Sequence, residues 1–224
     1  MTRDPLTLTQ LLTALRGHVA ILEQRGEMTR PVQGITDDSR AVTPGGIFVA
    51  VKGERVDGHN FIEQAIKAGA GAIIAQAPVA SGPLPLVLVA DSRKALGLLG
   101  GRFHGDPSAR LKMIGVTGTN GKTTTTYLCK SLLEGIGRKV GLIGTVGYQI
   151  GQETFPASHT TPGALDLQQL LAKMVEHGLD ATVMEVSSHA LALDRTSGCE
   201  YDVAVFTNLT QDHLDFHHTM DEYF

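Results

Sequence analysis

Apolar positions along the chain fall into short runs and helical stripes that alternate with polar turns. Thr7-Leu-Thr-Gln10 has the form of a capping box, and Leu8, Leu11, Leu12 and Leu15 follow it at helical spacing. Ile47 to Val51, after Pro44-Gly-Gly46, reads as a strand, as do Ala72 to Ala75 and Leu86 to Ala90. Phe61 to Ala68 reads as a helix stopped by Gly69, and Ser92 to His104 is helical in pattern. Loop signals at Ser81-Gly-Pro83 and Asp106-Pro-Ser108 flank that last helix. The domain boundary is expected near Ala90, giving domains 1–90 and 91–224 with the helix leading into the second.

Beyond the boundary the alternation is stronger. Leu111 to Val116 and Val140 to Ile143 read as strands, and Thr182 to Val186 and Val203 to Phe206 as strands of buried appearance. Lys122 to Leu133 is a helix with stop signals at Gly135 and Gly137. Leu167, Leu170, Leu171, Met174 and Val175 form a helical stripe, with Thr161-Pro162 ahead of it and Gly178 ending it. The fold class is α/β: a small N-terminal α/β domain, then a doubly wound, mostly parallel sheet. No internal repeat or low-complexity segment interrupts it.

Composition narrows the class. The 224 residues are 42% hydrophobic and 19% charged, ordinary for a globular chain. Two cysteines, Cys129 and Cys199, without zinc spacing argue against a disulfide scaffold and for a reducing compartment. The N-terminus lacks the pattern of a signal peptide, and no apolar stretch approaches the roughly 18–20 residues that span a bilayer. A cytoplasmic monomer without membrane contact is expected. A net charge of −4 gives no basic field for nucleic acid, so bound phosphate must be held locally.

Such a site is visible. Gly118-Thr-Asn-Gly-Lys-Thr123 lies between a strand and a helix. Its glycines let backbone N–H groups turn into one concavity, and the helix N-terminus adds partial positive charge. Lys122 suits the β- and γ-phosphates of a nucleotide, and Thr123 offers a hydroxyl to Mg²⁺. The strict pattern wants glycine where Val116 stands, but Gly-Lys-Thr and its setting are intact. Glu185 closes an apolar strand, where a carboxylate is costly unless paired or at a site rim.

Five separated stretches make the picture family-specific. Gly115-Val-Thr-Gly-Thr-Asn-Gly-Lys-Thr-Thr124 resembles the ATP loop of the Mur ligases and of folylpolyglutamate synthase. Thr36-Asp-Asp-Ser-Arg40, with Pro44 to Ala50 and Gly53 through His59, resembles the uridine-binding N-terminal domain of the tripeptide- and pentapeptide-forming Mur ligases. Thr160-Thr-Pro162, Met184-Glu-Val-Ser-Ser-His189 and Thr207-Asn-Leu through Asp215 resemble the tripeptide-forming branch. The resemblance runs from about Ile35 to Phe224.

The resemblance implies an ATP-dependent ligase of peptidoglycan synthesis. ATP phosphorylates the D-glutamate carboxylate of UDP-MurNAc-L-Ala-D-Glu, and an amine of a diamino acid, meso-diaminopimelate or L-lysine, attacks the acyl phosphate. It implies ATP contacts at Gly118, Thr119, Asn120, Gly121, Lys122, Thr123 and Thr124. Catalytic roles fall on Lys122, Glu185 and His213, and Mg²⁺ contacts on Thr123, Glu185 and His213. Substrate contacts fall on Ser39, Glu54, Arg55 and Val56 for the uridine diphosphate. For the muramoyl-peptide they fall on His159, Thr160, Thr161, Ser187 and Arg195, whose guanidinium suits an anion. His159 stands where relatives often have Asn, another hydrogen-bond donor, and Thr161 doubles as a candidate helix cap. His217 and His218 read as ordinary loop histidines.

Other readings remain open: another ligase of the superfamily, or a non-catalytic nucleotide- and precursor-binding module. Thr219-Met-Asp-Glu222 reads as a capping box opening a helix, and Phe224 falls inside its first turn. A lone turn is far below the roughly 12–15 residues at which a helix becomes marginal in water. The ATPase domain is therefore expected to be incomplete; the resemblance implies an amino-acid-binding domain and a carbamylated lysine beyond Phe224, and this chain alone is expected to be inactive.

Overall fold

In the computed structural model, which describes residues 5–53 and 56–224, the Thr7–Gln10 capping box forms in both directions and opens α1 (Leu8–Leu12). A 3-10 turn, Thr13–Leu15, carries the stripe on, and Leu8, Leu11 and Leu15 are buried. Then come β1 (Ile21–Arg25), β2 (Ile35–Thr36), β3 (Ile47–Val49), α2 (Ile62–Lys67), β4 (Ala72–Ala75), β5 (Leu86–Val89) and α3 (Ser92–Phe103). The sheet order is β1-β5-β4-β3-β2, with β1 antiparallel to β5 and the other pairs parallel. β3, β4 and β5 are buried at every position, which is why each reads as a continuous apolar run.

α3 packs against α1 and the turn that follows it. The chain accordingly divides into units Met1–Phe103 and His104–Phe224, about a helix later than the expected boundary near Ala90. Loop signals flank that helix on both sides, and the side on which it buries Ala95, Leu96 and Leu99 decides the matter.

The second unit holds β6 (Lys112–Thr117), α4 (Lys122–Gly135), β7 (Val140–Ile143), β8 (Tyr148–Ile150), β9 (Glu153–Phe155), α5 (Ala164–Glu176), β10 (Ala181–Glu185), α6 (Ser188–Ala192), β11 (Val203–Phe206), α7 (Leu214–His217) and α8 (Met220–Tyr223). Its sheet order is β11-β6-β10-β7-β8-β9. The first four strands are parallel, and β8 and β9 extend the sheet as an antiparallel hairpin. β10 shows the double winding residue by residue. Ala181 and Val183 join Val116 and Val140 in one core, against Cys129 and Leu133 of α4. Met184, on the opposite face, joins Met113 and Ile143 against Leu167, Leu171 and Met174 of α5. The parallel strands β6, β7, β10 and β11 all end on one edge of the sheet, the edge where ligands sit in open α/β folds.

One expectation changes: Thr161 does not cap α5, whose N-cap is Gly163 with no side-chain bond. β11, which reads as buried, is flanked among the described residues by β6 alone, and Val203 and Phe206 are about half exposed. The turn that Thr219 opens forms as read, with Tyr223 buried and bonded to Thr119.

Candidate active site

β6 hands the chain to the phosphate loop, and α4 starts at Lys122 behind an N-cap glycine, Gly121, that offers no side-chain cap. The first N–H groups of α4 therefore face the loop's concavity without an intrahelical partner. The Lys122 ammonium lies across the loop, 2.6 Å from the Gly118 carbonyl oxygen and 2.9 Å from that of Thr119.

The first half of the loop is fastened from outside. Thr119 N–H donates to the Asn208 carbonyl at 2.9 Å. Asn120 N–H donates to Asn208 Oδ1 at 3.1 Å, while Asn208 Nδ2 donates to the Asn120 carbonyl at 3.0 Å. Thr119 Oγ1 accepts from Thr210 N–H at 3.0 Å and donates to the Thr210 carbonyl at 3.1 Å. Its one proton thus spent, it accepts from the Tyr223 hydroxyl at 3.0 Å. Thr207 Oγ1 lies where a Cβ on Gly118 would stand, and Gly118 has φ +123°, so only glycine fits there. Thr119, expected as an ATP contact, spends both N–H and hydroxyl on this fastening. It also lines the cavity beside the loop.

Across the cavity stands Glu185, the last residue of β10 and only 1% exposed. Thr123 Oγ1 donates to its Oε2 at 2.9 Å. Thr145, just past the end of β7, gives it a backbone N–H at 3.0 Å to Oε1 and its hydroxyl at 3.2 Å to Oε2. Among the described residues no cationic side chain forms an ion pair with Glu185; its partners are neutral donors.

Thr160, Thr161, His159, Ser187 and Arg195 line the same cavity, of about 580 Å³, with Asn120 to Thr124, Glu185 and His213. Thr161 is fully buried: its hydroxyl donates to the Glu185 carbonyl at 2.9 Å and accepts from Ser187 N–H at 3.0 Å. Arg195 Nη1 donates to the Thr161 carbonyl at 3.2 Å. Both backbone groups of His159 are bonded to the Tyr148 hydroxyl. So the structure brings the expected muramoyl-peptide residues to the phosphate loop, with Thr161 as scaffold and Arg195 at the wall.

His213 precedes α7 with φ +53°, a left-handed conformation in which His is enriched among non-glycine residues. Its ring stands edge-on to His189 at 4.8 Å, and His189 also stacks on Phe216 at 4.1 Å. Burial first, then the neighbouring His213 and His217, hold the His189 imidazole below its usual range. His217 is no loop histidine: it closes α7, is buried, and shares a 2.9 Å hydrogen bond with Ser188 Oγ. Of the expected metal set only Thr123 and Glu185 touch. No group of three or more His, Cys, Asp or Glu among the described residues is placed to hold a metal ion.

The first unit has its own cavity, of about 610 Å³, lined by Ser39, Arg40, Val56, Phe61, Gln64 and Arg93 among others. Asp38 Oδ1 accepts from Arg40 N–H at 2.9 Å, closing a local turn, and the Arg40 guanidinium grips the same carboxylate in a two-point pair. That grip, with the backbone bond, lowers the Asp38 carboxyl to about 2. Buried Ser39 donates to Gln64 of α2 at 3.1 Å. Ser39 and Val56 line this one cavity, while Glu54 and Arg55 lie outside the described residues. Sequence reasoning missed Phe61, Gln64 and Arg93 here, and Thr145, His189, Asn208 and Tyr223 in the second unit. Thr145 was within reach, since it follows a strand on the ligand-bearing edge.

A strand, a glycine loop, a lysine at the head of a helix and a carboxylate at the neighbouring strand's end define a P-loop nucleotide-binding α/β unit. The matching family models are the Mur ligase middle domain, over residues 116–224, and the catalytic domain of the Mur ligase family, over residues 31–104. The chain belongs to the Mur ligase family. It is 56% identical over 186 residues to a UDP-N-acetylmuramoyl-L-alanyl-D-glutamate–2,6-diaminopimelate ligase of Geobacillus thermodenitrificans, covering 83% of this chain and 38% of that one. A solved structure of a ligase of that name superposes with a TM-score of 0.81 at 31% identity, over 98% of this chain and 43% of the other. The MurF ligase from Thermotoga maritima in complex with ADP superposes with a TM-score of 0.56 at 28% identity, over 86% and 41%. The chain spans well under half the length of the curated relatives it matches. No helix among the described residues is long and apolar enough to cross a membrane.

Proposed function

We propose that this chain supplies the nucleotide- and precursor-binding part of an ATP-dependent carbon–nitrogen ligase of peptidoglycan synthesis. The ligase adds a diamino acid to UDP-MurNAc-L-Ala-D-Glu. The relatives' names favour 2,6-diaminopimelate over L-lysine as that amino acid. The observation that carries the reading is the single cavity in which Lys122 and Thr123 face Glu185, Thr160, Ser187 and Arg195. A phosphate donor and an anionic peptide can meet there.

The chemistry follows from the substrate. A carboxylate is a poor acyl donor because its leaving group would be oxide, and phosphorylation replaces that with phosphate. Transfer crowds negative charge between nucleotide and peptide, which fixed cations and N–H donors must offset. Lys122 and the N-terminus of α4 do this on the nucleotide side, and Arg195 on the peptide side. Thr123 and Glu185 fit Mg²⁺, which takes hard oxygen ligands: two such oxygens lie in contact, and the buried carboxylate has only neutral partners. Bound there with the nucleotide, Mg²⁺ would supply charge neutralisation at the phosphates. His213 sits on the same wall, within reach of a ligand in the cavity. The cavity around Ser39 and Val56 takes the uridine diphosphate, with Arg93 and Arg40 at its edge.

The test is MgATP binding by calorimetry to the chain and to Lys122→Ala. The variant should fold, with an unchanged melting temperature, and lose affinity by about 100-fold, the scale of two to three kcal/mol for lost charged hydrogen bonds. Equal affinity in both proteins would remove the phosphate loop from the reading.

A further inference from the structure

The hydroxyls around Glu185 form one connected chain. Thr123 Oγ1 donates to Glu185 Oε2, Thr145 Oγ1 lies 3.2 Å from the same oxygen, and Thr145 Oγ1 lies 3.0 Å from Thr160 Oγ1. The direction of each bond can be assigned by counting protons. A carboxylate oxygen only accepts, so the single Thr145 hydroxyl proton goes to Glu185. The Thr145–Thr160 bond is then donated by Thr160. Polarity runs from Thr160 to Thr145 to Glu185, and from Thr123 to Glu185 on the other side.

The backbone holds this chain in place. Thr145 N–H donates to Glu185 Oε1 at 3.0 Å, so one residue grips both carboxylate oxygens. The preceding residue, Gly144, lies so close that a Cβ on it would collide with the Glu185 carboxylate. A strand end, β7, is thus pressed against the last residue of its neighbour, β10, by a contact only glycine permits.

We propose that Thr145 is a positioning residue that couples the two halves of the cavity, the phosphate half at Thr123 and the peptide half at Thr160. The inference rests on the function proposed above, in which those halves hold MgATP and the muramoyl dipeptide. Because Thr160 spends its proton on Thr145, it turns only lone pairs to the cavity and receives a donor from the second ligand. A ligand that instead draws the Thr160 proton releases Thr145 to re-aim, and Glu185 with it. Occupancy of either half is therefore felt by the other through Thr145, with no contact between the ligands required.

Two variants separate the hydroxyl from mere shape. Thr145→Val keeps the branched volume and the backbone N–H but removes the hydroxyl, whereas Thr145→Ser keeps the hydroxyl and drops the methyl. The 224-residue chain and both variants are titrated with MgATP, alone and saturated with UDP-MurNAc-L-Ala-D-Glu, and their melting temperatures are compared to exclude unfolding. In the wild-type chain the precursor should change MgATP affinity by a factor on the order of five or more. Thr145→Ser should keep that factor, and Thr145→Val should bind MgATP equally with and without the precursor. Coupling in Thr145→Val equal to wild type, or its loss in Thr145→Ser, overturns the inference. So does a wild-type chain that binds both ligands without coupling. A wild-type chain that binds neither ligand contradicts the functional reading itself and takes this inference with it.

Discussion

Glu185 sets the terms at the residue scale. This carboxylate is 1% exposed and bonded only to hydroxyls and an N–H, with no cation paired to it among the described residues. Such a group is kept for what it holds rather than for stability, so Glu185→Gln should melt no lower than wild type while losing most Mg²⁺-dependent nucleotide affinity. Thermal melts beside calorimetry with and without Mg²⁺ check this, and a large drop in melting temperature with affinity intact would make Glu185 structural. His189 gives a pH dependence. Its folded pKa lies below the unfolded value near 6.5, so the neutral ring is favoured in the fold. The associated stability is complete above that value and declines as pH falls through the window below it, within the pH 5–8 range where histidines switch. Melting temperatures across that range should show the decline in wild type and a flatter profile in His189→Gln; identical profiles would remove His189 as the cause.

At the scale of elements, the phosphate loop is a suspended structure. The glycines and Lys122 were legible in sequence because strand–loop–helix spacing states their roles locally. The fastening of Thr119 and Asn120 to Asn208, Thr210 and Tyr223 was not, because those partners lie roughly 90 to 100 residues further along the chain. Asn208→Ala removes two hydrogen bonds to Asn120 and should loosen the loop by about 1–3 kcal/mol. Faster amide exchange at Asn120, with β10 unchanged, is the expected signature; unchanged exchange would mean the loop holds its own shape. Other elements divide on the same line. β10 and β7 were readable because burial on both faces writes a continuous apolar run. The β8–β9 hairpin escaped because strands of three residues broken by Gly147 and Gly151 leave no period to read. β1 escaped because Leu22 points outward and Glu-Gln-Arg follows it. β11 reads as buried because Val-Ala-Val-Phe is apolar; among the described residues only β6 flanks it, which leaves its other side uncovered.

At the scale of the molecule, two units each carry their own cavity, and the candidate residues sort between them as the sequence motifs do. Ser39 and Val56 fall in one and Lys122, Glu185 and Arg195 in the other. What sequence placed poorly was the divide itself, since α3 declares its allegiance only through packing. Separate sites predict separable losses. Leu171→Ala, in the core of the second unit, should cost about 2–5 kcal/mol there and weaken MgATP binding while the uridine site keeps its affinity. Ser39→Trp, which forces a large ring into a buried turn, should do the reverse. The most direct measurement of the central claim is therefore a two-ligand titration of the wild-type chain with UDP and MgATP, each alone and each in the presence of the other. Two sites predict one equivalent of each nucleotide bound together, with MgATP lost in Lys122→Ala and UDP retained. Mutual displacement at a single site, or loss of both in Lys122→Ala, would contradict it.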